Sequence, residues 1–191
     1  MLTYLRRNLE YGVGQVASIL HRAGATPNML TTAGFLAAAS SGIIFALRTS
    51  QALTFILAPS LILLSGFFDV IDGSLARVSG RTTKFGGVLD SILDRLGEIF
   101  IISGMTIGGF SSVIWGLAAV SASLMVSYAR ARVEAEGLRL EGVGVAERPE
   151  RILILSFSTF LGYIEYGVIA VSILATITVV QRVLYAYRHL N

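Results

Sequence analysis

All four aspartates of the chain lie in two neighbouring apolar segments, at Asp69, Asp72, Asp90 and Asp94. At about 3.6 residues per turn, Asp69 and Asp72 share one face of a helix, and Asp90 and Asp94 share one face of another. An ionised carboxylate inside a membrane is costly unless it is paired or bound, so each is a functional candidate. Two such faces brought together would form a cage of oxygens, the ligand type that Mg²⁺ and Mn²⁺ prefer.

A purely structural role is the alternative for these aspartates. They could cap helices or pair with Arg77, Arg81 and Arg95. Four converging carboxylates repel one another, however, and three arginines neutralise that repulsion poorly. Three small residues lie on the same helical faces as the aspartates: Gly73, Ala76 and Gly86. Because they have short side chains or none, they leave room for a ligand beside the carboxylates, which favours a metal site.

The composition indicates that lipid surrounds much of this chain. Of the 191 residues, 54% are hydrophobic and only 14% are charged, whereas soluble domains carry about 25% charged residues. The length fits one domain. There is no cysteine and there are only two histidines. Disulfides, thiolate nucleophiles and thiolate metal sites are therefore excluded, and a metal has to be held mainly by carboxylates.

The apolar runs predict an all-α integral membrane protein with six transmembrane helices, because about 20 apolar residues cross the hydrocarbon layer. The predicted spans lie near residues 29–47, 52–75, 86–109, 111–131, 150–163 and 166–187. The fifth span is short. We expect it to be tilted, shielded by protein, or joined to the sixth by a bend between Gly162 and Gly167.

The basic residues predict how these spans are oriented. Of the fifteen Lys and Arg residues, all but Arg48 lie in the N-terminal segment, around 77–95, around 130–151, or after position 181. Short loops rich in Lys and Arg stay in the cytoplasm. We therefore expect a multi-pass membrane protein with both termini on the cytoplasmic side.

The N-terminal segment has the pattern of an amphipathic helix. Apolar residues recur at helical spacing between polar ones: Leu5, Leu9, Val13, Val16, Ile19 and Leu20. This predicts a helix that lies in the membrane interface and ends before Gly24, as part of the mature protein. An ordinary cytoplasmic helix packed on the other helices is the alternative. The predicted domains are thus a juxtamembrane helix at 1–24 and a transmembrane domain at 25–191.

Residues 69–94 read DVIDGSLARVSGRTTKFGGVLDSILD, which matches the pattern D-x2-D-G-x2-A-R-x8-G-x3-D-x3-D. Eight fixed residues make a specific motif, and the chain resembles the CDP-alcohol phosphatidyltransferases that share it. The resemblance implies that an acceptor hydroxyl attacks the β-phosphorus of a CDP-lipid and that CMP leaves. It also implies two divalent cations, Mg²⁺ or Mn²⁺, a homodimer, and a location in a bacterial inner or archaeal cell membrane with the active site on the cytoplasmic side.

The resemblance also implies roles for the four aspartates. By carry-over, Asp69, Asp72 and Asp90 hold the first cation, and Asp69, Asp90 and Asp94 contribute to the second. Asp94 is in addition the expected general base.

A second set of residues is expected at the CDP-lipid. Gly73, Ala76 and Gly86 are expected to line the CDP site, and Arg77 to contact its phosphates. Asn28, in the segment ATPNMLT, resembles a residue that the family places near the nucleotide. A helix N-cap is the alternative role for Asn28.

The stretch SYARARVEAEGLRLEGVGVAERPERILIL resembles phosphatidylinositol and archaetidylinositol phosphate synthases, which use inositol 1-phosphate as the acceptor. The resemblance implies that Arg130, Arg151 and Arg182 bind the acceptor phosphate, a group that arginine contacts well. Arg130 replaces a lysine of the bacterial enzymes. Arg148 has two possible roles, supporting this pocket or pairing with a neighbouring glutamate.

Two other functions are weighed against this one. A phosphatidylglycerol phosphate synthase would use the same mechanism with glycerol 3-phosphate, but its Gly-Lys-x-Lys-Thr pattern is absent from the sequence. A transporter could also carry intramembrane aspartates, but it has no need for the small residues beside them. The basic patches flank apolar spans, so a phosphorylated substrate or membrane lipid is the expected partner and nucleic acid is not.

Overall fold

The computed structural model describes residues 2–80, 82–140 and 142–190, with side chains from residue 12 onward. The described residues form seven α-helices and one π-helical turn, and no strand occurs among them. In chain order the elements are α1 (Leu2–Arg22), α2 (Pro27–Ala46), a π-helix (Leu53–Leu57) that runs into α3 (Ala58–Ser79), α4 (Lys84–Ile107), α5 (Val113–Ala135), α6 (Arg148–Phe160) and α7 (Ile164–Leu190).

Each predicted span corresponds to a helix, and four helices in the described part of the chain are long and apolar enough to cross a membrane. These four are Pro27–Ala46, Leu53–Ser79, Val113–Ala135 and Ile164–Leu190. Helix α4 carries both acidic and basic residues in its first half. Helix α6 has 13 residues, about 20 Å of helix against a hydrocarbon layer of about 30 Å. The protein is therefore an all-helical membrane protein, and the count of six spans stays a prediction.

The helix ends near the aspartates are fixed by local hydrogen bonds. Thr26 caps α2, and its side chain accepts a hydrogen bond from the backbone N–H of Met29. Thr83 caps α4 and accepts from the N–H of Gly86 at 2.9 Å. Helix α3 ends at Gly80, whose φ of 64° lies in the left-handed region that favours glycine. These caps set where α3 stops and where α4 begins.

Helix α2 packs against both α3 and α4 and so sets their relative position. Its contact with α4 is a backbone contact. A Cβ atom on Gly42 would overlap the carbonyl oxygen of Phe100, and a Cβ on Gly104 would overlap the backbone of Gly42. Small residues permit such close packing between membrane helices. Larger residues at these positions would push α4 away from α2.

An apolar core joins α2, α3, α4, α5, α6 and α7. Its most buried large side chains include Phe45, Ile62, Ile102, Met105, Leu155 and Val168. Outside this core, apolar side chains such as Ile107 and Ile114 are more than 70% exposed, as expected where lipid is the solvent. Helices α6 and α7 are separated by a bend at Gly162, with a φ of 78°, which confirms the predicted bend.

Helix α1 packs on the rest of the protein through a few small and apolar residues. Ala17 is fully buried against Leu30, Ile71 and Leu75. Ile19 points away from this contact and is 65% exposed. Of the other predicted apolar positions, Val13 and Leu20 pack against this contact and Val16 is 37% exposed. The side chains of Leu5 and Leu9 lie outside the described residues. A position of α1 in the membrane interface stays a prediction.

Candidate active site

Three of the four aspartates bring their carboxylate oxygens together. One oxygen each of Asp69, Asp72 and Asp90 lies within 4.8 Å of the other two. The first two residues lie one turn apart on α3, and Asp90 lies in the second turn of α4. Oxygens that bind one divalent cation at about 2.0–2.6 Å are at most about 4–5 Å apart. The cluster therefore has the dimensions of a cation site, as the spacing of the aspartates predicted.

The hydrogen bonds of these carboxylates are incomplete. Asp72 is only 6% exposed, and Thr31 donates a hydrogen bond from its Oγ1 to Asp72 Oδ2 at 2.6 Å. Asp90 Oδ1 is buried and has no hydrogen-bond partner in the described structure. Buried polar atoms are nearly always satisfied. A bound cation would satisfy this oxygen, so the residues fit a divalent cation such as Mg²⁺ or Mn²⁺.

Asp94 is connected to the cluster through an arginine. Arg148, the first residue of α6, places Nη2 at 2.9 Å from Asp94 Oδ1 and Nη1 at 2.9 Å from Asp69 Oδ2. The sequence left Arg148 open between a pocket role and a pairing with Glu147 or Glu150. Its ion pairs are instead with two aspartates, so the pairing with a neighbouring glutamate is wrong. This arginine thereby bridges α3 and α4 at the centre of the site.

A cavity of about 240 Å³ lies on one side of Asp90. All five residues predicted to bind the CDP-lipid line it: Asn28, Gly73, Ala76, Arg77 and Gly86. Asn28 is not the N-cap of α2, because Thr26 occupies that position, so the alternative role for Asn28 is wrong. A Cβ on Gly86 would lie 3.2 Å from Asn28 Oδ1. The structure thus brings these residues together, and their contact with a nucleotide stays a prediction.

A second cavity of about 510 Å³ lies on the other side of Asp90. Asp69 and Asp94 line it near the cluster. Its other lining residues include five arginines: Arg95, Arg130, Arg148, Arg151 and Arg182. The predicted acceptor-phosphate residues are therefore all found around one cavity. Because Asp90 lines both cavities, the carboxylate cluster is where they meet.

Arg151 is held by protein groups rather than free in the cavity. It is 1% exposed and donates to both carboxylate oxygens of Glu98, from Nε at 2.6 Å and from Nη2 at 2.8 Å. Its Nη1 donates to the carbonyl of Ala146 at 2.9 Å. Arginine has five N–H groups, so two remain for a ligand. A direct phosphate contact by Arg151 stays a prediction.

Arg182 is held in a similar way by helix α5 and by the connection between α5 and α6. It donates to the carbonyl oxygens of Val143 and Val126 at 2.9 and 2.7 Å, and to Glu147 Oε1 at 2.9 Å. By contrast, Arg130 is 40% exposed and pairs with Glu134 on its own helix. Of the three predicted residues, Arg130 is therefore the one whose guanidinium is most accessible from the cavity.

Three residues of the site escaped the sequence-based prediction or stayed undecided in it. Thr31 carried no signal, since a threonine in an apolar helix is unremarkable. The sequence placed Glu98 on the same helical stripe as Asp90 and Asp94 but assigned it no role, and the structure shows it in the wall of the larger cavity. Arg148 lies in the ERPER segment, but its contact with aspartates on two other helices depends on how α6 packs.

A family model for the CDP-alcohol phosphatidyltransferases matches residues 24–187. The chain belongs to the CDP-alcohol phosphatidyltransferase family. It is 37% identical to the archaetidylinositol phosphate synthase of Pyrococcus horikoshii, over all of this chain and 99% of that protein. It is 39% identical to the same enzyme of Methanothermobacter thermautotrophicus, over 91% of this chain and 89% of the relative.

Solved structures support the same assignment. A crystal structure of Mycobacterium tuberculosis phosphatidylinositol phosphate synthase with CDP-DAG bound is similar at a TM-score of 0.77 and 28% identity, covering 92% of this chain and 93% of that one. The same mycobacterial enzyme in complex with manganese and citrate gives a TM-score of 0.78. The protein is therefore a phosphotransferase of phospholipid biosynthesis that acts with a divalent cation.

Proposed function

We propose that this enzyme transfers the phosphatidyl-type group of a CDP-lipid, CDP-diacylglycerol or CDP-archaeol, to inositol 1-phosphate and releases CMP. The observation that carries the proposal is the meeting of two cavities at Asp90, one lined by the CDP motif and the other by arginines. Two substrates bound on opposite sides of one carboxylate cluster have their reacting atoms brought together at that cluster.

The smaller cavity takes the cytidine diphosphate. Gly73, Ala76 and Gly86 keep its wall free of long side chains, and Arg77 reaches it from the end of α3. A guanidinium can contact a phosphate through two N–H groups at once. In this arrangement, Arg77 orients the diphosphate so that its β-phosphorus faces the carboxylate cluster.

The aspartates hold the cations and move the proton. Asp69, Asp72 and Asp90 would hold the first Mg²⁺ or Mn²⁺, and Asp69, Asp90 and Asp94 would hold the second. When bound, the cations would neutralise the diphosphate and the charge that develops on the leaving phosphate. Asp94 takes the proton of the acceptor hydroxyl, whose oxygen forms the new bond to the β-phosphorus while the bond to CMP breaks.

The larger cavity takes the acceptor phosphate. Its arginines suit a phosphorylated alcohol better than a neutral one, with Arg130 the most accessible and Arg151 and Arg182 behind it. Glycerol 3-phosphate would use the same charges and is the second candidate. The names of the archaeal relatives and the ERPER segment favour inositol 1-phosphate. Membership of a phosphotransferase family disfavours an ion-binding transporter.

The membrane arrangement follows the distribution of basic residues. In our proposal the protein has six spans, with α4 and α6 shielded by the other helices. The termini and both cavities face the cytoplasm. Residues 1–24 form a juxtamembrane helix, residues 25–191 form the catalytic domain, and the active protein is a homodimer.

A test of this function is CMP release by the purified protein with Mg²⁺. The acceptors compared are inositol 1-phosphate, glycerol 3-phosphate, serine and free inositol, each with CDP-diacylglycerol and with CDP-archaeol. We expect CMP release to depend on an acceptor and to be fastest with inositol 1-phosphate. If CMP release is faster with glycerol 3-phosphate, then glycerol 3-phosphate and not inositol 1-phosphate is the acceptor. If the rate of CMP release is the same with and without each of the four acceptors, the transfer reaction is refuted.

A further inference from the structure

Arg148 occupies an unusual place for a cation in this enzyme. Its two terminal nitrogens each lie 2.9 Å from a carboxylate oxygen, one of Asp69 on α3 and one of Asp94 on α4. The side chains of all three residues are mostly buried, with 17%, 28% and 14% of their areas exposed. A single guanidinium thus ties together two helices that carry the catalytic carboxylates.

The reason for this bridge lies in the charge of the site. Four carboxylates converge there, and like charges at such distances repel one another strongly. Arg148 neutralises one charge. Two buried atoms of the site still lack a hydrogen bond among the described residues: Asp90 Oδ1, and Arg148 Nη1, whose contact with Asp69 is an ion pair without hydrogen-bond geometry. Arg95 also lines the larger cavity, but its Nη1 donates to the carbonyl of Ser91 at 2.6 Å. The bridging arginine therefore does for the carboxylates part of what a cation would do.

The two ion pairs of Arg148 are incompatible with the binding of both cations. Under the function proposed above, Asp69 and Asp94 are ligands of the second cation, yet both point an oxygen at Arg148. We propose that Arg148 is a placeholder for this second cation. It holds the two carboxylates in place while the site lacks the cation, and it is displaced when the cation binds. This inference rests on the two-cation form of the proposed function.

Displacement would leave Arg148 beside the acceptor. The residue begins α6 and lines the larger cavity together with Arg130 and Arg151. Once it is free of the aspartates, its fork of N–H groups faces the region proposed for the acceptor phosphate. An acceptor phosphate that draws Arg148 away strengthens cation binding, and the cation strengthens acceptor binding by the same factor. Arg148 is therefore a positioning residue that couples the two ligands.

The experiment measures Mn²⁺ binding to the purified, detergent-solubilised protein by electron paramagnetic resonance, without turnover. CDP-lipid is omitted, and inositol 1-phosphate is either absent or saturating. In the wild type we expect two Mn²⁺ per chain, with the weaker one bound about 5-fold to 100-fold more tightly when inositol 1-phosphate is present. In Arg148→Gln the weaker Mn²⁺ should already bind more tightly without the acceptor, and the acceptor should no longer change its affinity.

Two control variants separate the bridge from net charge. Arg148→Lys keeps the charge, but a lysine ammonium does not reproduce the planar fork that bridges two carboxylates. We therefore expect it to lose most of the coupling. Arg95→Gln removes one positive charge from the same cavity and leaves the bridge intact, so the coupling should remain. Equal responses of Arg95→Gln and Arg148→Gln would show an effect of charge alone and would overturn the placeholder role.

The outcomes also separate this inference from the function on which it rests. A single Mn²⁺ per chain at saturation, with and without inositol 1-phosphate, would overturn the two-cation function and the placeholder role together. Two Mn²⁺ per chain in the wild type, with an unchanged weaker site in both Arg148 variants, would overturn the placeholder role alone. Thermal unfolding of each variant without cations checks that the lost coupling is not the result of a lost fold.

Discussion

Arg130 offers the cleanest test of the acceptor cavity, because its removal should affect binding without affecting the fold. It is 40% exposed and its ion pair is with Glu134, one turn along α5. An exposed pair of this kind contributes about 0–1 kcal/mol to stability. We therefore expect Arg130→Ala to unfold at nearly the same temperature as the wild type.

The expected effect on the acceptor is larger than the effect on stability. A hydrogen bond to a charged group contributes about 1.5–3 kcal/mol, and each 1.4 kcal/mol is about tenfold in binding. Because Arg130 is partly exposed, solvent screening places the effect at the lower end, at about tenfold. Arg130→Ala should therefore raise the KM for inositol 1-phosphate about tenfold and leave the KM for the CDP-lipid unchanged.

The assay is steady-state CMP release with one substrate varied at a time. Arg132→Ala is the matched control, since Arg132 also forms an i,i+4 pair, with Glu136, but does not line the cavity. Arg130→Lys should recover most of the loss, because a lysine keeps the charge. An equal rise in both KM values, or an equal effect of Arg132→Ala, would refute the assignment of Arg130 to the acceptor.

Three further predictions concern the cation site, the smaller cavity and the membrane topology. Asp90→Asn should slow CMP release about a thousandfold or more and abolish stabilisation of the protein by Mg²⁺ in thermal unfolding; turnover near that of the wild type at saturating Mg²⁺ would contradict the cation site. Ala76→Leu should narrow the 240 Å³ cavity and raise the KM for the CDP-lipid but not for the acceptor. A higher KM for the acceptor with an unchanged KM for the CDP-lipid would show that the smaller cavity binds the acceptor instead. A cysteine introduced at Glu136, which is exposed, should react with an impermeant reagent only from the cytoplasmic side, and one at Val113 only from outside; the opposite labelling would invert the topology.

The helices were largely predictable because hydrophobicity alone marks them. The apolar run at 29–47 corresponds to helix Pro27–Ala46, and the run at 166–187 lies within helix Ile164–Leu190. The runs at 86–109 and 150–163 are helices as well, α4 and α6, but neither is among the four helices in the described part of the chain that are long and apolar enough to cross a membrane. Helix α4 carries the charges of the active site, and α6 is short because the chain bends at Gly162.

The candidate site was predictable where its residues are close in sequence. The spacing of Asp69, Asp72 and Asp90 along two consecutive helices predicted that they converge, and the structure brings their oxygens within 4.8 Å. Contacts between distant segments were not predictable. Arg151 and Glu98 are 53 residues apart, and no periodicity links them. The bridge formed by Arg148 depends in the same way on the packing of α6 against α3.

The most direct test of the central claim is a competition between two acceptors. The purified enzyme is given CDP-lipid, Mg²⁺ and equal concentrations of inositol 1-phosphate and glycerol 3-phosphate, and the lipid products are quantified by mass spectrometry together with CMP. We expect the inositol phosphate lipid to predominate and one CMP to form for each lipid product. A predominance of the glycerol phosphate lipid would contradict the proposed acceptor, and CMP without a matching lipid product would contradict transfer altogether.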